Sequence, residues 1–178
     1  MAKKPGKSAS RTPARLETPT DLSHNAIPEL AEVLNRLVAD NYALYTKTKN
    51  FHWHVSGPHF RDYHLLFDEQ AAEIFASIDD LAERVRKLGA RTVHSIGEIA
   101  RLKTIKDNDK EFVSPAEMLK ELMDDNKTVI RAMRAAHDVA DKHEDVATDS
   151  ILENFIDQAE KRNWFLFEAS RTTTGGGH

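Results

Sequence analysis

The chain has no cysteine among its 178 residues. Disulfide scaffolding, thiolate metal ligands and a cysteine nucleophile are thereby excluded, and a reducing compartment fits. Only 7 residues are glycine while 30% are charged, a balance that favours long solvated helices over sheet. No uncharged apolar run approaches the length of a membrane span, and the first residues lack the apolar core of a secretion signal. A cytoplasmic protein without membrane contact is expected. One spacing is missing as well: no Glu is followed by His three residues later, the pair that builds a two-metal site inside a helical bundle. An intrabundle site of that kind is not expected.

What is present begins with a division of charge. The net charge is -4, yet Lys3, Lys4, Lys7, Arg11 and Arg15 against Glu17 make residues 1–20 +4 and leave -8 on the remainder. A stretch rich in Lys, Ser, Thr and Pro, with almost nothing apolar to bury, is expected to be disordered. Residues 1–22 are therefore read as a disordered basic tail, 23–171 as one folded domain and 172–178 as a flexible C-terminal tail. The basic arm can neutralise phosphates that the acidic body repels; a merely solubilising tail is the alternative.

Apolar residues recur at three- and four-residue spacing over four long stretches. The first, about residues 28–55, places Leu30, Leu34, Leu37, Leu44 and Phe51 on one face. The second, about residues 60–88, turns Phe67, Ile74, Phe75, Ile78, Leu81 and Val85 inward and stops at Gly89 as a C-terminal cap. The third opens on the capping box Ser114-Pro115-Ala116-Glu117 and runs to about Asp141. The fourth starts near Thr148 to Ser150, with Ser150 and Glu153 as a second possible box. Residues 90–113 are too long for a plain loop, and Ile96, Ile99 and Leu102 mark a short helix within them.

Between the first two helices, Gly57-Pro58 breaks the pattern on both sides, so the pair should fold back as a hairpin. Residues equally far from such a turn lie side by side, and His52 and His64 are symmetric about Pro58. Asp68 follows His64 by one helical turn on the same face, and Asp79 and Glu83 form another pair four apart. Asp79 lies fifteen residues beyond His64, which returns it to within about 60° of the same stripe but about 22 Å along the axis. One ion with ligand bonds of about 2 Å cannot be held by all five side chains of one chain. A two-fold pair of hairpins, laid head to tail, would join the His end of one chain to the Asp/Glu end of the other and create two equal sites. Imidazole with carboxylate suits Fe(II), Zn(II) or Mn(II). Singly, each residue has a plainer explanation as a core histidine, a surface charge or a partner of Arg84 or Arg86. Only the five together point to a metal.

Asn50-Phe51-His52-Trp53, Gly57-Pro58-His59-Phe60, His64, Phe67-Asp68-Glu69, and Asp79 followed by Ala82-Glu83-Arg84 strongly resemble the Dps family, the DNA-binding proteins of starved cells, which are miniferritins. The similarity runs from about Ile27 to Glu168. It implies an all-α fold, a ferritin-like four-helix bundle with a short extra helix in the connection between the second and third long helices, assembled as a homo-dodecamer. It also implies ferroxidase sites between subunits, built from two His and one Asp of one subunit and an Asp and a Glu of the other. Those positions fall on His52, His64 and Asp68, and on Asp79 and Glu83, with two iron positions per site. The implied activity is oxidation of Fe(II) by hydrogen peroxide, more slowly by dioxygen, with Fe(III) mineral stored in the cage and DNA protected from oxidative damage.

The same resemblance suggests further roles. Trp53, beside His52, is a candidate radical quencher, with packing at a dimer contact as the alternative. Lys3, Lys4, Lys7, Arg11 and Arg15 are candidates for non-specific DNA binding, and with it a nucleoid-associated location. Asp141, Asp145 and Asp149 recur every fourth residue where the family has acidic iron-entry pores, although the pattern is shifted by a residue near Asp149 and Ser150; a solvated loop is the alternative. His54, His59, His94 and His137 lack partners at ligand spacing and are expected to be structural. A DNA-compacting structural protein with little ferroxidase activity is the rival reading of the whole chain.

Overall fold

Cross-helix contacts set the topology of the chain in the computed structural model, which describes residues 16–171. The helices are α1 (Ala26–His54), α2 (Phe60–Lys87), α3 (Ile96–Leu102), α4 (Pro115–Lys142) and α5 (Val146–Ser170), and no strand occurs among the described residues. α1 and α2 fold back through a turn in which Gly57 takes a φ of 104°, a left-handed angle that a side chain would oppose. Lys142 of α4 reaches Glu29 near the start of α1 at 2.6 Å, while Lys47 further along α1 reaches Asp125 at 2.6 Å and Glu121 at 2.8 Å. α1 and α4 are therefore antiparallel. The Tyr63 hydroxyl donates to the Ala169 carbonyl at 3.1 Å, and Arg84 Nε donates to Thr148 Oγ1 at 2.8 Å, so α2 and α5 are antiparallel too. The long helices thus run up, down, down, up. The connection from α2 to α4 has to travel the length of the bundle, and on the way α3 packs against α1.

The predicted apolar faces close one core. Leu30, Leu34, Leu37, Leu44 and Phe51 of α1, Phe67, Ile74 and Leu81 of α2, Met118, Leu122, Val129 and Met133 of α4, and Leu152 and Leu166 of α5 are all buried. Each such side chain contributes roughly 1.5–3 kcal/mol on burial, so this set carries the fold. The interior also holds a polar layer. Arg162, only 4% exposed, donates from Nε to Asn126 Oδ1 at 3.3 Å and from Nη1 to Glu73 Oε2 at 3.5 Å, and Gln70 donates to its carbonyl at 3.1 Å. The buried guanidinium thus has its charge answered by Glu73 and a hydrogen bond accepted by the Asn126 amide.

The Ser114 box forms as the spacing predicts: Glu117 N–H donates to Ser114 Oγ at 3.3 Å, and Ser114 N–H donates to Glu117 Oε2 at 3.0 Å. The start of α5 differs. Its cap is Asp145, which accepts from Thr148 N–H at 3.2 Å, and not the Ser150–Glu153 pair. Arg84 Nη2 holds the same Asp145 carboxylate at 2.6 Å, so the cap that prevails is the one tied to α2. Phe75 also departs from expectation. It is 52% exposed, and its ring lies against Tyr45 on the α1–α2 face, centroids 5.0 Å apart, instead of entering the core.

α2 ends as Gly89 predicts, with φ at 79° and two closing bonds, Gly89 N–H to the Arg86 carbonyl at 3.0 Å and Ala90 N–H to the Val85 carbonyl at 3.1 Å. The start of the described chain lies against this cap. Arg86 Nη2 donates to the Leu16 carbonyl at 2.8 Å, and Thr18 Oγ1 donates to the Arg86 carbonyl at 3.0 Å. A Cβ on residue 89 would stand 3.0 Å from Thr18 N. Gly89→Ala is therefore expected to cost about 1–3 kcal/mol, from left-handed strain and this close approach together. A thermal midpoint equal to that of the unaltered chain would show that neither constraint acts. Part of the stretch assigned to the N-terminal tail is thus pinned to α2, while residues 1–15 and 172–178 lie outside the described residues. Among the described residues no helix is long and apolar enough to cross a membrane.

Candidate metal centre

The hairpin register brings His52 and His64 together. Their rings stack with centroids 3.8 Å apart and planes 23° from parallel. His52 Nδ1 lies 2.7 Å from the carbonyl oxygen of His64, and His64 Nδ1 lies 2.9 Å from the carbonyl oxygen of His52. A carbonyl can only accept, so each Nδ1 carries a proton, and in the neutral ring the lone pair is then on Nε2, free for a metal. Two imidazoles are thereby held by main-chain atoms in the tautomer and orientation a ligand needs.

Asp68 joins them from the next turn of α2. Its Oδ1 lies 3.8 Å from His52 Nε2 and 2.6 Å from Lys49 Nζ. The hydrogen bond from Lys49 is the chief cause holding the Asp68 carboxyl below its ordinary pKa. An ion bound at this Asp68 oxygen would have to compete with the Lys49 ammonium. Lys49 is not among the residues that spacing singles out; it meets Asp68 one residue off the register that pairs His52 with His64.

Asp79 and Glu83 are exposed further along α2, and Glu83 pairs with Lys87 at 3.2 Å. Asp79 borders an open apolar groove of about 420 Å³ between α1 and α2, lined by Val38, Tyr42, Phe75, Ile78 and Ala82. The structure thus brings together His52, His64 and Asp68 but leaves Asp79 and Glu83 apart, because the rigid helix between them is about 1.5 Å long per residue. Among the described residues of one protomer, no three His, Asp or Glu side chains close around one point.

A family model for the ferritin-like domain matches residues 31–173. The chain is 36% identical over 137 residues to the DNA protection during starvation protein of Brevibacillus brevis, an alignment covering 77% of this chain and 91% of that one. The chain belongs to the Dps family of ferritin-like proteins. Among solved structures, Dps from Bacillus brevis superposes with a TM-score of 0.80 at 33% identity, covering 84% of this chain and 100% of that one. The Dps protein of Vibrio cholerae O1, described as one of the ferritin-like diiron-carboxylate proteins, superposes with a TM-score of 0.83 at 26% identity over 89% of this chain and 99% of that one.

The remaining candidates of this Dps chain are placed less uniformly. Trp53 is 63% exposed beside the His pair, with Lys49 Nζ 5.7 Å from its ring centre. The acidic trio divides: Asp141 is exposed and Asp149 half-buried, whereas Asp145 is buried. Burial pushes the Asp145 carboxyl up, but hydrogen bonds from Arg84 and Thr148 outweigh this and hold it below the ordinary value. Its charge is compensated within the chain by Arg84 and Thr148. Lys3, Lys4, Lys7, Arg11 and Arg15 lie outside the described residues.

Proposed function

We propose that the chain is a Dps-type ferroxidase and iron-storage protein whose sites form between two subunits. The observation that carries this reading is the carbonyl-locked His52–His64 pair, which presents two Nε2 lone pairs beside Asp68 at one end of a rigid helix whose other end bears Asp79 and Glu83. A second copy, related by a two-fold axis along the α1–α2 face, supplies the missing carboxylates to each His end. The apolar groove and Phe75 beside Asp79 support that face as the meeting surface.

Fe(II) is the substrate. Two iron ions held side by side can pass one electron each to a single hydrogen peroxide, which with two protons gives two Fe(III) and two water molecules. Because both electrons go to one peroxide, no hydroxyl radical is released. The carboxylates favour the product, since a hard and more highly charged ion gains more from anionic oxygen than Fe(II) does. Six such dimers closing into a dodecameric cage would store the Fe(III) mineral. With Fe(II) limiting, the protein is expected to consume one peroxide per two Fe(II), faster than it consumes dioxygen. Iron oxidised no faster than in buffer, alongside intact DNA compaction, would favour a structural protein instead.

DNA binding through Lys3, Lys4, Lys7, Arg11 and Arg15 belongs to the same proposal and places the protein on the nucleoid in the cytoplasm. It is supported by the +4 charge of residues 1–20 on a -8 remainder and by the name DNA protection during starvation protein carried by the Brevibacillus relative. Many arms on one cage add avidity to weak phosphate contacts, and counterion release makes such binding fall steeply with salt. Deleting residues 2–15 is expected to abolish gel retardation of duplex DNA. Retardation that survives the deletion would place the DNA contact elsewhere.

A further inference from the structure

The bonds to main-chain carbonyls fix the Nδ1 side of both rings of the His pair, but the two rings are not equally enclosed. His52 is only 8% exposed, whereas His64 is half-buried. Besides His52, the ring that lies against His64 is Phe60, with centroids 5.1 Å apart and planes 31° from parallel. That separation falls within the range of about 4.5–7 Å over which aromatic rings attract.

The sequence seats Phe60 at that spot. It is the first residue of α2, and its N–H donates to the Gly57 carbonyl at 3.0 Å, so the turn that sets the hairpin register also sets where this ring stands. His64 follows four residues later on the same face, the spacing at which side chains of a helix meet. The Phe60 ring is 47% exposed and stands outside the apolar core. Removing it takes little from the interior, and the neighbour that loses a contact is a proposed metal ligand.

We propose that Phe60 is a positioning residue for iron binding, its ring bracing the His64 imidazole so that Nε2 stays aimed into the site. This inference rests on the ferroxidase reading above. Phe60 has no donor atom to offer an ion and acts only through His64. Without it the His64 ring keeps the bond from Nδ1 to the His52 carbonyl but loses a packing contact that limits rotation of the side chain. An aromatic pair is worth about a 2- to 12-fold change in an equilibrium constant, so metal affinity at this end falls by about that factor when the ring is removed. The effect is smaller than that of losing a ligand outright.

The test compares the full-length protein with Phe60→Ala and Phe60→Tyr. Metal-free crystals of Phe60→Ala are expected to show His64 in a second rotamer while His52 keeps one. Equilibrium dialysis with Co(II), an ion that imidazole and carboxylate accept, should show weaker binding at the His52–His64 end by about 2- to 12-fold with the same number of ions bound. Phe60→Tyr keeps the ring and should restore both the single rotamer and the affinity. Light scattering should give the same mass for all three proteins. Should Phe60→Ala not fold, Phe60→Leu, which has apolar bulk but no ring, carries the same expectations. A single His64 rotamer with unchanged affinity in Phe60→Ala overturns the inference. So does a smaller assembly in which His64 has not moved, since Phe60 is then a contact between subunits. Failure of the unaltered protein to bind Co(II) at the His52–His64 end is a different result, which removes the ferroxidase reading and this inference with it.

Discussion

Replacing His52 and His64 together by Ala is expected to slow peroxide-driven Fe(II) oxidation by at least about 100-fold while leaving the helices in place. Loss of a single supporting group around a bound metal typically costs 10- to 100-fold, and here two direct ligands go at once. The structural cost is smaller. The change removes two ring-to-carbonyl hydrogen bonds, each worth about 1 kcal/mol, and Ala is a better helix former than His. Circular dichroism should therefore show the same helical content with a modestly lower midpoint. His54→Ala is the control, because that exposed ring only bonds its own turn, Nδ1 to the Asn50 carbonyl at 2.8 Å. Its rate should match the unaltered chain. A double variant that still consumes peroxide at the normal rate would mean the ligands are misassigned.

Mixing two dead chains is expected to restore activity. One partner carries His52→Ala and His64→Ala, the other Asp79→Asn and Glu83→Gln, and each alone should be inactive. In a site shared across a two-fold axis, the imidazoles come from one chain and the distal carboxylates from the other. Refolded together in equal amounts, the chains then give intact imidazoles in half the sites and, independently, intact carboxylates in half, so about one quarter of normal activity returns. If all ligands belonged to one chain, nothing would return. The recovered fraction thus reads out the geometry of the site independently of absolute rates, and a flat zero at every mixing ratio would end the intersubunit account.

Most of the architecture was readable because it rests on local rules. The long helices follow from apolar spacing, and their ends at Ser114 and Gly89 from capping chemistry that needs only three or four neighbouring residues. The pairing of His52 with His64 was readable too, since a tight turn at Gly57-Pro58 fixes the register of a hairpin. What escaped depended on contacts between distant segments. Asp145 caps α5 because Arg84, sixty-one residues away in the chain, holds its carboxylate. Phe75 has an inward spacing but an outward place, because periodicity fixes a face and not which neighbour covers it. His137 meets Asp149 and Glu153 only after α4 and α5 turn back on each other through a loop in which Glu144, not a glycine, takes a φ of 57°.

The reciprocal tether between the two stacked rings makes them fail as one. Each imidazole is aimed by the backbone of the residue that bears the other, so loosening the turn at Gly57 frees both simultaneously. On heating, capacity for metal at that end should vanish in a single event at the temperature where the hairpin frays, with no stage at which one ring is set and its mate adrift.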